Sequence, residues 1–476
     1  MAKKIICLFI AAIMLCSFIG CGKEKDDGID TLTWLIPGSA QSDFARITDA
    51  INKITEKEIN AKVDIQIIDT SSYSEKMKMN MSAGVDFDIC FTGFVNNYSE
   101  AVTNGGFMDI TDLVKEKGLY DIIPDYGWEA TAVKGRIYAV PNVQIMAMAS
   151  ALSIRKDIAD KYNLDIDSIK SVDDLEPFLE QVKNGEKNLY PYRPNYGIIP
   201  WYTAKYEEIT PGIAFDKNAN DENGVKYTHE LPEFKHGAQQ LWNWYQKGYI
   251  RKDALSIGDD SADYNAGKYV ITSVVYKPGV EAELEAKLGI PHYVVPLEKP
   301  YMSRSRATAT MAAISVNSKH AEKAIELIKL LNTNAELYNL ISFGMDGIDY
   351  ETAEDGRVTL KTNSGYNNNG DSWKFGNVKN SLILTTQELD VWDQTMKVND
   401  ESKKSAIIGF AFDKNADIKT QISNIATLTS EYQVMHRGVK DPSTYMHEYD
   451  KKLKDGGIVK IHDEVKKQLK SYFESK

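Results

Sequence analysis

The residues of this sequence with the clearest chemical use are aromatic. The chain has 26 Tyr, 15 Phe and 7 Trp, and several of them, such as Phe94, Trp201 and Trp373, lie where a strand-like or proline-broken segment ends. Tyr and Trp combine a flat apolar body with a polar atom. An excess of them therefore has two interpretations: they fill a core, or they form a binding surface for flat, amphipathic ligands.

Motifs for nucleotide binding, phosphate binding and serine hydrolase chemistry are absent from the sequence. No G-x-G-x-x-G follows a strand-like run, and neither G-x-x-x-x-G-K-[ST] nor G-x-S-x-G occurs. A pair of carboxylates could still serve glycoside hydrolysis, and Asp86 and Asp88 lie two residues apart beside a strand-like run. For this pair we favour solvated charge at the strand edge. No catalytic residue is assigned, and a surface glycosidase stays an alternative.

Two segments match metal sites only in part. His229-Glu230 begins like a zinc-binding helix, but position 233 is Glu where a second imidazole is needed. Residues 216–227 begin with the Asp-x-Asn-x-Asn spacing of a calcium loop but lack its glycine and its final glutamate. A turn is the better interpretation of this segment. The sequence predicts no metal and no cofactor.

The elements that would position the aromatic residues alternate between strand and helix. Residues 31–36, 63–68 and 87–92 have the apolar or alternating character of strands, whereas residues 43–58 carry apolar side chains three and four apart. Ser72 and the glutamate three residues later look like a capping box that opens the next helix. This order implies parallel strands with helices on both faces, so the predicted fold class is α/β.

The alternation continues along the chain. Residues 149–155 and 308–316 are strand candidates. Residues 191–206 are interpreted as a loop, because tyrosines and a tryptophan stand among three prolines. The last hundred residues are predicted to be helical, and Gly438 is a natural helix stop.

The N-terminus has the pattern of a secretory signal. Lys3 and Lys4 precede an uncharged apolar run of 15 residues, which is shorter than the ~20 residues that a membrane-spanning helix needs. The ending Phe18-Ile-Gly-Cys21 resembles the bacterial lipobox, in which the cysteine becomes diacylated. We therefore assign residues 1–20 to a lipoprotein signal peptide, Cys21 to lipidation and residues 21–30 to a polar tether. A plain secretory signal that is cleaved elsewhere is the alternative.

Size, charge and cysteine content limit the class of protein further. With 476 residues the chain is longer than one hydrophobic core supports, so two domains are expected. The net charge of −12 argues against a nucleic-acid partner. Only Cys90 would accompany Cys21 in the mature chain, so no disulfide within the folded body is expected.

Eight short motifs in order resemble the extracellular solute-binding protein family, specifically the lipoprotein substrate-binding subunits of bacterial carbohydrate ABC importers. The resemblance covers nearly the whole chain. The motifs are TLTWLIPG at 31–38, DFDICFTG at 86–93, GGFMDITDL at 105–113, GRIYAVPN at 135–142, IRKD at 154–157, FGMDGIDY at 343–350, WKFGN at 373–377 and GFAFD at 409–413.

The resemblance implies a type II periplasmic-binding-protein-like fold, with two α/β lobes joined by a hinge and a ligand cleft between them. Carried over, it places lobe one at 31–148 plus 315–348 and lobe two at 152–310 plus 351–476. It implies that ligand bridges the lobes and favours their closed arrangement. The expected location is the outer face of the cell membrane through the lipid anchor, and a monomer is expected.

The resemblance also implies the partners, which are a carbohydrate, most simply an oligosaccharide, and the permease subunits of an ABC transporter. Aromatic rings would stack on sugar rings, and amide or carboxylate groups would bond sugar hydroxyls. Three alternatives are a receptor for peptides or another non-sugar solute, a surface glycosidase, and a receptor that feeds a sensor kinase. The candidate ligand-binding residues are Trp34, Phe94, Tyr98, Asn142, Trp201, Tyr202, Tyr276, Asp346, Trp373 and Asn377.

Overall fold

The computed structural model describes residues 28–476 with the exception of 97, 255–258, 368–371 and 415. The signal peptide over 1–20, Cys21 and the tether as far as residue 27 lie outside the described residues. The elements given below are those of the described residues.

The strands divide among two main sheets and three small ones. They are β1 Asp30–Gly38, β2 Ala61–Asp69, β3 Ile89–Gly93, β4 Ala139–Pro141, β5 Ala149–Arg155, β6 Tyr190–Arg193, β7 Tyr206–Thr210, β8 Ile213–Asp216, β9 Val225–Tyr227, β10 Tyr269–Tyr276, β11 His292–Pro296, β12 Tyr301–Met302, β13 Thr310–Ile314, β14 Tyr350–Thr352, β15 Val358–Leu360 and β16 Lys403–Lys404.

Helices connect these strands and form most of the C-terminal region. They are α1 Phe44–Ile59, α2 Thr70–Ala83, α3 Tyr98–Thr103, α4 Thr111–Glu116, α5 Asp125–Thr131, α6 Lys156–Lys161, α7 Glu176–Gly185, α8 Ile199–Tyr202, α9 Pro232–Lys247, α10 Ser261–Asn265, α11 Val280–Leu288, α12 Arg304–Ala307, α13 Ala321–Thr333, α14 Ala335–Phe343, α15 Val391–Glu401, α16 Ala416–Glu431, α17 Gln433–His436, α18 Pro442–Asp455 and α19 Ile458–Glu474. Short 3-10 turns occur at Ile166–Ser168, Val172–Leu175, Glu222–Gly224, Thr228–Glu230, Ser372–Lys374 and Val378–Asn380.

The first lobe is built on a five-stranded sheet with the order β2-β1-β3-β13-β4. β1 runs parallel to β2 and β3, as the alternation of strand and helix predicts, whereas β13 is antiparallel to both β3 and β4. β13 joins this sheet from a later part of the chain, after the chain has passed through β5 to β11 of the second lobe. It thereby returns the chain to lobe one.

The second lobe is built on a four-stranded sheet with the order β11-β5-β10-β6. β5 lies antiparallel to both β10 and β11, and β6 lies parallel to β10. A small antiparallel sheet of β7, β8 and β9 belongs to the same lobe. Two α/β lobes joined by chain crossings are therefore the architecture of the protein, as the sequence predicts.

Separate hydrophobic cores confirm that two lobes exist. One cluster joins β1, β2, α1, α13 and α14 through residues such as Leu32, Ile47 and Ile328, all at most 2% exposed. Another joins β5, α7, α9 and the C-terminal helices through residues such as Trp244 and Leu469, both fully buried. Because the C-terminal helices pack in the second cluster, residues 407–469 contribute to lobe two.

One part of the chain packs differently from the expected lobe boundaries. Tyr366 and Phe375 fall within 351–476, the range expected in lobe two, but both are buried in the core of lobe one. Tyr366 donates its hydroxyl to the Ile341 carbonyl of α14. The expected range 351–476 thus contains a segment that folds back onto the first lobe before the chain reaches the second.

A small cluster lies where the crossings between the lobes meet. It combines Met146 and Ala147 from the first crossing, Met302 and Ala307 from the second, and Ile408 from the third, packed on α5. The buried Asn399 side chain holds the first crossing as well: its Oδ1 accepts from the backbone N–H of Met146 (2.8 Å) and of Ala147 (3.0 Å). We call the seven residues Tyr126, Ala130, Met146, Ala147, Met302, Ala307 and Ile408 the hinge cluster.

Two local expectations are corrected by the structure. α2 begins at Thr70, and its cap is Asp69, whose Oδ1 accepts from the Ser71 N–H at 2.9 Å. Ser72 is therefore already inside the helix and does not open it. The stretch at 191–206 is not a continuous loop either, because it contains most of β6 and all of α8.

Asp88 also differs from its expected solvated position. It is 6% exposed, and its carboxylate accepts from the Thr33 N–H (2.9 Å) and from the Ser318 hydroxyl (2.5 Å). These contacts tie β1 to the segment after β13. Asp88 is thus a structural acceptor inside lobe one, while Asp86 lies near Lys319 at the surface.

None of the helices described within residues 28–476 is both long enough and apolar enough to cross a membrane.

Candidate ligand site

The topology brings one edge of each main sheet to the crossings. In lobe one this edge carries the ends of β3 and β4, where Gly93 and Pro141 pair with the start of β13. In lobe two it carries the start of β5 and the end of β10, where Ala149 pairs with Tyr276. The first crossing joins the two edges with only residues 142–148. Residues that follow these strand ends therefore face the junction between the lobes, which is where open α/β sheets bind ligands.

Phe94 and Trp373 form an aromatic pair at the lobe-one edge. Phe94 directly follows β3, is 60% exposed, and its ring centroid lies 5.7 Å from that of Trp373 and 5.9 Å from that of Phe91. Its backbone N–H donates to the Ala309 carbonyl at 2.8 Å, which fixes it beside the start of β13. A large apolar ring held in place and left exposed is typical of a binding surface.

Asn142 and Asn377 join the same group through the backbone. The Asn142 side chain donates from Nδ2 to the Lys374 carbonyl at 2.7 Å. The next residue, Val143, donates its N–H to the Gly376 carbonyl (2.7 Å). Asn377 accepts from the Lys379 N–H at 3.0 Å. The first crossing and residues 372–377 therefore run side by side, and four of the predicted residues, Phe94, Asn142, Trp373 and Asn377, lie together.

A tight turn at Gly93 makes this arrangement possible. Gly93 has a φ of +137°, and a Cβ at this position would lie 2.0 Å from the Ala309 carbonyl oxygen. Only glycine allows the chain to leave β3 at this angle with β13 so close. The glycine thus sets the direction in which Phe94 leaves the sheet.

The lobe-two side of the junction holds a polar pocket of about 220 Å³. It is lined by residues from the start of β5, from α8 and β7, and from the second crossing, including Tyr202 and Arg306. The Ser150 and Thr203 hydroxyls lie 2.8 Å apart on its wall. Tyr276 stands at the end of β10 and is half-buried against α11.

Three carboxylates line this pocket, Glu207, Glu208 and Glu298, and two of them are held by protein partners. Glu298 Oε2 lies 2.5 Å from Lys217 Nζ, and both side chains are 10% exposed. Glu207 accepts from the Tyr301 hydroxyl at 2.8 Å and from the Ser405 hydroxyl. Burial raises the pKa of Glu207. These two carboxylates thus stabilise the junction between the second crossing and β7, rather than standing free.

Four of the predicted residues have aromatic side chains packed in the cores. One is Tyr202, which is 7% exposed within the lobe-two core although it also lines the junction pocket. Trp34 is 4% exposed and packs edge-on against Phe375, with ring centroids 5.7 Å apart. Tyr98 is 5% exposed, and its hydroxyl donates to the Thr131 carbonyl at 2.8 Å. Trp201 packs against Trp244 in lobe two and donates from Nε1 to Asp173 at 3.0 Å. β1 is buried on both faces from Trp34 to Pro37, as expected of a strand inside a covered sheet, and the Trp34 ring therefore lies inside the lobe.

Asp346 also stands apart from the aromatic group. It is exposed beside β14, and its Oδ1 accepts from the neighbouring Gly347 N–H at 2.9 Å. Tyr196 is the reverse case, a residue that was not selected from the sequence. It follows β6, is 41% exposed, and borders a cavity that it shares with Tyr202. Its position directly after a short strand is the signal that could have identified it.

In the segments that resemble metal sites, possible ligand atoms contact other protein groups. In the described chain, Asp216 Oδ1 accepts from the Asn218 N–H (2.9 Å), which makes the turn expected for 216–227. The Lys403 ammonium donates to the Lys217 carbonyl (2.8 Å) and to Asn218 Oδ1 (3.1 Å). His229, Glu230 and Asp450 could offer ligand atoms within 4.8 Å of one another. Asp450, however, already pairs with Lys454 at 2.8 Å.

Two α/β lobes with aromatic and amide groups gathered where the crossings meet define a two-lobed ligand-binding protein. Comparison with known proteins agrees. Residues 49–344 match the family described as bacterial extracellular solute-binding protein, and residues 406–474 match a domain of unknown function, DUF3502. The first match covers more than half of the chain, so the chain belongs to the bacterial extracellular solute-binding protein family.

Individual relatives are similar along most of their length. A carbohydrate ABC transporter substrate-binding protein of Streptococcus pneumoniae is 29% identical over 438 residues, covering 89% of this chain and 87% of the relative. The N-glycan transport solute-binding protein NgtS of S. pneumoniae is 26% identical, with a TM-score of 0.82 over 94% of this chain and 99% of NgtS. NgtS in complex with Man5GlcNAc has a TM-score of 0.72 over the same shares of the two chains.

Proposed function

We propose that this protein captures a carbohydrate by closure of its two lobes and delivers it to the permease of an ABC importer. The observation that carries the proposal is the exposed ring of Phe94 packed on the partly buried ring of Trp373 at the lobe-one edge, beside the amide of Asn142. Rings of this kind stack on the C–H faces of sugars, while amides bond their hydroxyls. The carbohydrate and N-glycan specificity of the relatives supports the same class of ligand.

Closure of the lobes would complete the site. Tyr202 and Tyr276 lie on the lobe-two side of the junction, where the pocket beside the first crossing supplies hydroxyl groups. A sugar that contacts both edges gains contacts only in the closed arrangement and shifts the population toward it. We keep Phe94, Asn142, Tyr202, Tyr276, Trp373 and Asn377 as the proposed contact residues.

Binding without hydrolysis is part of the proposal. The relatives are binding proteins, and two of the three carboxylates in the junction pocket, Glu207 and Glu298, hold hydrogen-bond or ion-pair partners. A retaining glycosidase needs two carboxyl groups free to act on either side of one bond. Release of reducing ends from an oligosaccharide by the purified protein would contradict this part.

The test is calorimetric titration of the mature chain with Man1GlcNAc, Man5GlcNAc and a maltooligosaccharide. We expect one of these oligosaccharides to bind, and we expect Phe94→Ala and Trp373→Ala each to weaken its binding about tenfold or more, because buried aromatic contacts are worth about 2 kcal/mol. Trp242→Ala is the matched control. It removes a tryptophan that stacks on Tyr245 within α9, away from the junction.

Unchanged affinity in both Phe94→Ala and Trp373→Ala would contradict the assignment of the site. Binding of peptides in place of sugars would favour the alternative receptor.

The lipid anchor is a separate proposal, since Cys21 lies outside the described residues. We expect mass spectrometry of the protein from its native membrane to show a diacylated N-terminal Cys21, since acyl chains would supply the membrane contact. Cys21→Ser should move the protein to the soluble fraction, whereas Cys90→Ser should leave it on the membrane because Cys90 is buried in lobe one. A membrane-bound Cys21→Ser variant would contradict the anchor.

A further inference from the structure

A cavity of about 260 Å³ lies within lobe two, behind the wall formed by Tyr202. It is enclosed by α8, β7, the start of α9 and the C-terminal helices α16, α17 and α18. Three rings from different elements line it: Tyr202, Phe234 and Tyr449. The C-terminal region that matches the domain of unknown function therefore completes a chamber that lobe two would otherwise leave open.

Several polar atoms of the lining have no hydrogen-bond partner among the described residues. They are Thr228 Oγ1, His229 Nδ1 and His436 Nε2, and all three atoms are buried. Thr228 is 6% exposed and His229 is 3% exposed. Buried polar atoms are almost always paired in native proteins. Their concentration around one cavity therefore marks it as a place where a polar ligand would find hydrogen-bond partners.

The contacts of His229 indicate which chemical group a ligand of this cavity would need. His229 Nε2 lies 3.1 Å from Asp450 Oδ1, and a carboxylate oxygen accepts, so this nitrogen carries the hydrogen. In the neutral ring Nδ1 is then an acceptor. Burial lowers the pKa of His229, which keeps the ring neutral near pH 7. His229 thus offers an acceptor that needs a donor from a ligand.

Glu208 supplies a second acceptor and the charge. It is an exposed residue that lines both this cavity and the junction pocket, and its carboxylate has no hydrogen-bond or ion-pair partner among the described residues. The lining residues include no lysine and no arginine. Burial raises the pKa of Tyr202 and of Tyr449, and the Glu208 charge adds to both shifts, while burial raises the pKa of Glu208 itself. An uncompensated carboxylate among aromatic rings suits a cation.

We propose that this cavity binds a small organic ligand carrying a protonated primary amine. The ammonium group pairs with Glu208 and donates to His229 Nδ1, and the ligand body packs against Tyr202, Phe234 and Tyr449. A primary ammonium fits because it has three donors and a positive charge, whereas a neutral sugar has donors but no charge to pair with Glu208. The site lies within one lobe, so it goes beyond carbohydrate transport and does not depend on it.

The experiment is thermal unfolding of the full mature protein at pH 7.5 with butylamine or ethanolamine at millimolar concentration. The neutral counterparts 1-butanol and ethylene glycol have similar size and are measured in parallel. We expect the amines to raise the midpoint temperature and the alcohols to leave it unchanged, since a ligand that binds only the folded state stabilises it.

Two variants test whether the amine binds in this cavity. Glu208→Gln keeps the shape but removes the charge, and we expect it to weaken amine binding about tenfold or more. Glu448→Gln is the matched control: it removes a carboxylate next to Tyr449 that lies outside the cavity lining and pairs with Lys452 at 3.0 Å. It should leave the amine effect intact.

Equal shifts by amines and alcohols, or an amine shift that survives Glu208→Gln, would overturn the proposal. The absence of any shift with the amines would also overturn the proposal. A shift that neutral monosaccharides produce and that Glu208→Gln abolishes would overturn it as well. These results are independent of the oligosaccharide titration, which Phe94→Ala and Trp373→Ala report.

Discussion

At the scale of single residues, burial separates the aromatic side chains into two groups. Trp34 and Tyr98 are buried and packed in lobe one, while Phe94 stands 60% exposed at the end of β3. The residue type is similar in all three cases, and so is the position at or after a strand. Packing decides which ring can reach a ligand: Trp34 packs on Phe375 beneath the sheet, Tyr98 begins α3 and packs on Phe107, and Phe94 follows β3.

His436 gives a pH prediction at this scale. It packs edge-on against Phe234, and burial lowers the pKa of His436 from 6.5 to about 4. The unfolded chain therefore binds a proton near pH 6.5 that the folded chain does not bind until about pH 4. Stability is fully present above pH 6.5 and falls as the pH is lowered through this window, by up to about 3 kcal/mol from this group.

Urea unfolding between pH 4.5 and pH 7.5 measures this effect. We expect His436→Phe to flatten the pH dependence, while His447→Gln, a change at an exposed position on α18, leaves it as in the natural chain. Equal pH slopes for His436→Phe and the natural chain would show that another group dominates.

At the scale of elements, the end of β3 determines how the aromatic pair is presented. Gly93→Ala places a Cβ 2.0 Å from the Ala309 carbonyl oxygen, so β3 and β13 must separate. We expect a loss of stability of about 3 kcal/mol or more and weaker oligosaccharide binding, because Phe94 leaves the sheet at this residue.

Gly105→Ala separates the clash from the backbone strain. Gly105 has a φ of +71°, but a Cβ there would meet no atom within 4 Å. It should cost only about 1 kcal/mol and leave the affinity for oligosaccharide unchanged. Chemical denaturation and calorimetric titration of both variants measure the two effects. Natural affinity in Gly93→Ala would show that this turn does not position the site.

Secondary structure could be predicted where its cause lies in neighbouring residues of the chain. The strand at 149–155 and the helix stop at Gly438 follow from side-chain period and from a C-terminal glycine in the left-handed region. The start of α2 could not be fixed in this way, since Asp69 and Ser72 are both good caps and the strand before them decides which one is used. The strand β6 could not be recognised within the proline-rich residues 191–206, because its pairing partner β10 is more than 70 residues away.

At the scale of the whole molecule, the hinge cluster is the feature that couples the lobes. Three crossings and α5 share seven buried residues, and Asn399 clamps the first crossing by donating to the Gln144 carbonyl (2.7 Å) in addition to its two accepted bonds. A compact junction of this size lets the lobes move as rigid bodies about a few residues.

Closure gives the prediction at this scale. If oligosaccharide bridges the two sheet edges, its addition should lower the radius of gyration measured by small-angle X-ray scattering. The mature chain carrying Phe94→Ala should show the same decrease only at higher ligand concentration, because it forms the same closed arrangement with lower affinity. An unchanged radius at saturating ligand would contradict the hinge mechanism.

The sequence by itself determined the α/β class, the expectation of two domains, the resemblance to solute-binding proteins and the types of side chain proposed for the site. These follow from local periodicity, from chain length and from short motifs, all of which are written along the chain. Tertiary structure alone decided that Tyr366 and Phe375 return to lobe one, that Phe94 and Trp373 meet, and that Trp34 and Tyr98 do not reach the junction. The reason is that each of these facts depends on how segments that are separate in the sequence pack together, such as Phe94 against Trp373, and one sequence carries no record of that packing.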